Sequence, residues 1–138
     1  DGCIHDSMAA AEVQMLAARV SDPVVKATLL KIAADETRHA TLAWKTVRWI
    51  LQGRPELRPV LIDAWESIQV DWKGRLDRLD AQASAPEMAA HGVLDGPGRA
   101  DLGHQVLAQI IAPCLKALVE LGPDAENPSN PHPAAVQA

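Results

Sequence analysis

Ile32-Ala33-Ala34-Asp35-Glu36-Thr37-Arg38-His39-Ala40 lies inside the longest helix-compatible stretch of the chain, and the rest of the sequence is read outward from it. The apolar residues Val25, Leu29, Ile32, Ala43, Val47 and Ile50 recur at helical spacing around it. The same stripe passes through positions 36 and 39. A carboxylate and an imidazole therefore sit one turn apart in the middle of what reads as a buried face. Burying an ionised carboxylate without a partner is costly, and a metal ion would offset that cost. Residues three apart project from one side of a helix, so both side chains can reach one ion. A Glu-x-x-His pair on an inward face is how helical bundles assemble two-metal carboxylate sites. The plain alternative is that Glu36 pairs with Arg38 or with another Arg and His39 is a satisfied core histidine.

Working outward, residues 3–21 read as a helix, with Ile4, Met8, Val13, Leu16 and Val20 on one side. Ser21-Asp22-Pro23 breaks it. Asp22 can cap the next helix and Pro23 suits its first turn, so that helix should run over about 23–52. Gly53 and Pro55 mark its end. A third helix is expected over about 56–81. Its apolar stripe is Leu57, Val60, Leu61, Ala64, Ile68, Trp72, Leu76 and Leu79, and Arg75, Asp77, Arg78 and Asp80 form a solvated face. Ser84-Ala85-Pro86-Glu87 has the pattern of a capping box opening a short helix to about His91, closed by Gly92. Asp95-Gly96-Pro97-Gly98 reads as a loop. A last helix is expected over about 99–121, kinked at Pro113. The Pro-rich segment 122–138 reads as a flexible tail. No strand signal competes, so the fold class is all-α.

Short turns make consecutive helices antiparallel, and residues equally far from the turn then share a height. With the turn near 21–22, the mirror of a point between 36 and 39 falls at Asp6. Asp6 shares a stripe with Ala10, Val13, Ala17 and Val20. Glu12 mirrors near Lys31, too low to join. Metal-ligand candidates are therefore Asp6, Glu36 and His39.

Composition narrows the classes. There are 138 residues, 13 Lys+Arg against 18 Asp+Glu, and a net charge of -5. That balance argues against a nucleic-acid groove, which needs a basic face. No apolar run in the sequence reaches the roughly 18 residues of a membrane helix. Tyr and Phe are absent, so no phenol can act from this segment. Two Cys form neither a zinc knuckle nor a CxxC motif. Cys3 and Cys114 are expected as reduced thiols, with a disulfide between them as the lesser reading. The chain begins at Asp1 rather than Met, which leads us to expect an upstream segment.

Asp1-Gly2-Cys3-Ile4-His5-Asp6-Ser7, Ser21-Asp22-Pro23, Asp35-Glu36-Thr37-Arg38-His39-Ala40 and Leu42-Ala43-Trp44 together resemble the second half of a ferritin-like domain protein of the di-iron carboxylate superfamily. In that family a G-C-x-G-E-T stretch supplies a single carboxylate and a D-E-x-R-H-A stretch supplies the Glu and His. His91-Gly92-Val93-Leu94 and Ala112-Pro113-Cys114-Leu115 also look like its C-terminal region. The resemblance implies that residues 1–53 form a helical hairpin, half of a ferritin-like four-helix bundle, with helices in 54–121 packed on it. It implies a di-iron or di-manganese centre, with Glu36 bridging, His39 as a terminal nitrogen ligand and Asp6 as a terminal carboxylate. The implied chemistry is oxygen- or peroxide-linked oxidoreduction or oxidation of ferrous iron. A degenerate, non-catalytic helical module is the alternative. One position departs from the pattern: Asp6 stands where the family has Glu, after His5 in place of Gly, so its carboxylate reaches one methylene less far. Glu36/His39 is the only Glu-x-x-His here. A two-metal site would need the second from an upstream hairpin or from a second copy related by a two-fold axis.

Of the remaining residues, Trp44, Trp49, Trp65 and Trp72 are expected to pack as core or interface filler, and His104 to be exposed. Asp35 and Arg38 should form a surface ion pair.

Overall fold

The structure, a computed structural model, describes residues 2–120. Five α-helices account for most of them: α1 (Gly2–Arg19), α2 (Pro23–Gly53), α3 (Arg58–Asp80), α4 (Gly96–Val106) and α5 (Ala112–Glu120). There is no strand among the described residues, as the helical periodicity requires. The expected tail 122–138 lies outside the described residues.

Local chemistry sets the boundaries. Asp22 accepts hydrogen bonds from the Val24 and Val25 amides and Pro23 occupies the first turn, so α2 begins where expected. The chain then makes a 3₁₀ turn at Pro55–Leu57 before α3. A second 3₁₀ turn, Pro86–His91, ends at Gly92, whose φ of 81° is open to glycine without strain. The capping box expected at Ser84 does not form. The Ser84 hydroxyl bonds the Asp95 carboxylate at 3.2 Å instead, and no side chain caps this turn. Asp95 also accepts from the Gly98 amide at 2.8 Å, which makes it the N-cap of α4. The helix thus begins at Gly96, inside the segment expected as a loop.

Pro113 has the effect expected of it, by an unexpected route. It carries no N–H, so the helix loses a donor there. Residues Leu107–Ile111 widen into a π-turn, with the Ala112 amide bonding the Leu107 carbonyl five residues back. α4, this turn and α5 form one continuous helix from Gly96 to Glu120. By length and composition this helix could cross a membrane, which corrects the expectation that no segment reaches that length. Here its apolar side faces the protein core through Leu102, Val106, Ile111, Leu115 and Leu118.

α1 and α2 pack antiparallel along a seam of small residues. Ser7, Ala10 and Ala17 of α1 are buried against a face of α2 that contains Ala33, Ala40 and Leu51. Trp44 donates its indole N–H to Ser7 at 3.2 Å, and Gln14 donates to Thr37 at 3.3 Å. These two contacts lie seven residues apart on each helix, the repeat of a coiled-coil seam. The other side of α1 packs on α4 and on the π-turn, with Ile4 and Leu16 joining Leu94, Leu102 and Val106 in the core. α3 closes over α4. Gly103 permits the close approach, since a Cβ there would fall 2.4 Å from Leu76 Cδ2. α1 is therefore central, and α2 and α3 lie outside it, with only three of 31 and one of 23 residues buried.

Candidate metal centre

The structure brings Glu36 and His39 together, but not on a buried face. Glu36 Oε2 lies 3.8 Å from His39 Nδ1, and their side chains are 29% and 64% exposed. The physical reason is a partial rotation of α2 away from the expected stripe, enough to expose Ile32, His39 and Ile50 but not Glu36 or Ala43. The stripe read from sequence runs through 32, 36, 39 and 43. The face that packs on the rest of the chain runs through Ala33, Ala40, Trp44 and Leu51, with Leu29, Glu36, Ala43 and Val47 half-buried along its edge. Helix α1 offers small side chains, so α2 presents its own alanines for close approach and turns the larger Ile32 and Ile50 outward. His39 is accordingly not a core histidine. Nor does Glu36 pair with Arg38, which instead forms an i, i+3 ion pair with Asp35, as expected of a surface pair.

Asp6 is half-buried and does not join the pair. A Cβ at Gly2 would lie 3.5 Å from Asp6 Oδ2 and 3.6 Å from the Ala43 Cβ, so the carboxylate turns back toward the start of α1. Gly2 is one turn before Asp6 and Ala43 one turn beyond His39. Backbone register thus keeps Asp6 near the height of His39, while its side chain points elsewhere. Among the described residues no three His, Cys, Asp or Glu side chains gather as a metal site. Glu12 forms an ion pair with Arg99 at 2.9 Å, consistent with its exclusion from the site.

Two ligand atoms on one ion, each about 2.1 Å from it, can be at most about 4.2 Å apart. The 3.8 Å separation of Glu36 and His39 fits within that limit, so this pair can hold one ion between them. It cannot complete a coordination shell alone.

Sequence reasoning missed a second feature, a groove of about 520 Å³ between α1, α3 and α4. Met8, Leu76 and Leu102 form its floor, and Arg75, Arg78 and Arg99 stand at its rim. Trp72 forms one wall, with the Arg75 guanidinium 5.5 Å above its ring and His5 5.5 Å away on the α1 side. The clue in the sequence was Trp72 followed by Arg75 and Arg78, which helical spacing had assigned to a solvated face. The tryptophans otherwise divide: Trp44, Trp65 and Trp72 pack against the core as expected, whereas Trp49 is 68% exposed and is not part of the core.

Cys3 and Cys114 are both free thiols. Burial pushes the Cys3 thiol pKa up, because the thiolate loses solvation.

No family model, curated protein or solved structure matches this chain.

Proposed function

We propose that the chain is a ferritin-like half-module that contributes Glu36 and His39 to a di-iron or di-manganese carboxylate centre completed by another helical hairpin. The observation that carries this reading is the convergence of Glu36 and His39 to 3.8 Å on a face of α2 whose Ile32 and Ile50 are exposed. One oxygen and one nitrogen donor per metal, with further carboxylates, suit iron and manganese better than copper or structural zinc. Such a metal pair supplies redox chemistry toward oxygen or peroxide, or oxidation of ferrous iron. The chain's own part is to hold and orient the ions: Glu36 as a shared carboxylate, His39 through a neutral ring nitrogen, and Asp6 if its side chain turns away from Gly2. Because His39 must be unprotonated to ligate, metal should be released as pH falls.

The second reading is a helical packing module without metal. The failure of Asp6 to join the pair favours it. Metal analysis of the purified chain after manganese or ferrous iron loading separates the two. Stoichiometric metal, abolished by Glu36→Ala and by His39→Ala, supports the centre. Metal content that is negligible, or unchanged in both variants, leaves the packing module.

A further inference from the structure

One face of α2 has a symmetry that says what can meet it: Val25, Ile32, His39, Thr46 and Ile50 on it are exposed, while Leu29 and Ala43 pack on their own chain at its inner edge. Its positions 25, 29, 32, 36, 39, 43, 46 and 50 are spaced evenly about a point midway between Glu36 and His39. Laid antiparallel against a second copy about that point, Val25 meets Ile50, Leu29 meets Thr46, Ile32 meets Ala43, and Glu36 meets His39. Apolar residues thus face apolar or small ones, and a carboxylate faces an imidazole. The cations also avoid one another in this arrangement: Lys26 falls opposite Trp49, Lys31 opposite Trp44, Lys45 opposite Leu30 and Arg48 opposite Ala27. In-register parallel pairing would instead set each of these charges against its own copy, which is unfavourable.

We infer that α2 is the interface of an antiparallel homodimer, with its two-fold axis passing between Glu36 and His39. Val25, Ile32 and Ile50 are 38%, 40% and 37% exposed on an otherwise well-formed helix, an apolar line about 38 Å long at ~1.5 Å per residue. Such a line is the mark of a surface that meets a partner. A closed two-fold pair uses the same patch on both copies, which a self-complementary stripe allows. The Gly92 turn borders the Val25 end, where a Cβ would touch Val25 and Leu29, and it would close over Ile50 of the second copy. Two hairpins joined this way make four helices. The axis then gathers two Glu36 and two His39 side chains. Only this last consequence rests on the metal reading; the pairing rests on the apolar stripe and its charge pattern.

Sedimentation of the full chain, with and without Mn(II), tests it. The expected mass is twice the 14.8 kDa of one chain, and Ile32→Asp with Ile50→Asp should return it to one chain with unchanged helical circular dichroism. A monomer at high micromolar concentration under both conditions overturns the inference. Orientation is tested with Val25→Cys and Ile50→Cys proteins, each also carrying Cys3→Ser and Cys114→Ser. Mixing and oxidising the two should link them to each other, while neither links to itself. Links only between like variants overturn the antiparallel arrangement. A dimer that binds neither Mn(II) nor Fe(II) ends the metal reading and leaves the dimer standing. A monomer that binds metal through Glu36 and His39 does the reverse.

Discussion

Trp44 and Ser7 fix the rotation of α2. The indole N–H donates to Ser7 Oγ at 3.2 Å, and the same hydroxyl donates to the Cys3 carbonyl at 2.6 Å. Ser7 is the one buried polar residue among those described. With Trp44 held on the α1 side, His39 turns toward solvent and Glu36 sits half-buried at the edge of the contact.

Ser7→Ala should therefore destabilise the hairpin by about 1–3 kcal/mol, since it strands a partly buried indole donor. Trp44→Phe removes both partners' need for each other and should cost less than Ser7→Ala once ring packing is retained. Urea unfolding midpoints compare them; equal stability of Ser7→Ala and the natural protein would discount this bond.

Gly103 and Leu76 govern how α3 meets α4. Gly103→Ala places a methyl 2.4 Å from Leu76 Cδ2, and Leu76 is a core side chain only 1% exposed, so it must shift to admit the methyl. We expect a loss of about 1–3 kcal/mol from overpacking. Gly53→Ala, which meets nothing within 4 Å, is the control and should not destabilise by that mechanism. If both variants unfold alike, the close approach at Gly103 is not limiting.

Asp95 ties the start of α4 to the turn before it. Hydrogen bonds from the amides of Ala85 and Gly98, and then the Ser84 hydroxyl, hold its carboxyl pKa below the usual value. A lowered folded pKa means the unfolded chain binds the proton first as pH falls. Stability from this group is present above the ordinary aspartate range and is lost as pH drops through it toward the folded value. Asp95→Asn should lower Tm near neutral pH and flatten the acid limb between about pH 5 and 3. An acid limb with the same slope in the variant would show that other carboxylates dominate.

The raised pKa of Cys3 leaves little thiolate at neutral pH. Alkylation of Cys3 in the folded chain should be much slower than in urea, and intact mass should be the same with and without reductant. A mass lower by two protons without reductant would establish the Cys3–Cys114 disulfide instead.

The sequence alone determined the all-α class, the α1–α2 turn at Asp22-Pro23, the Glu36–His39 pair on one side of a helix, and the disruption at Pro113. Each follows from interactions within a few residues: a cap, a missing N–H, a 3.6-residue period. It misjudged what depends on a neighbour's shape. Two stripes of α2, one residue apart, are both apolar enough to be core, and periodicity cannot choose between them. The tertiary structure chooses the alanine stripe, because Ser7, Ala10 and Ala17 of α1 admit a close helix and reward small facing residues. That choice sends Ile32, His39 and Ile50 outward, leaves Glu36 half-buried beside His39, and leaves Asp6 facing Gly2. Asp95 follows the same logic: as a string of residues it sits in a loop, but with Ser84 and Ala85 folded beside it, it becomes the cap of a helix.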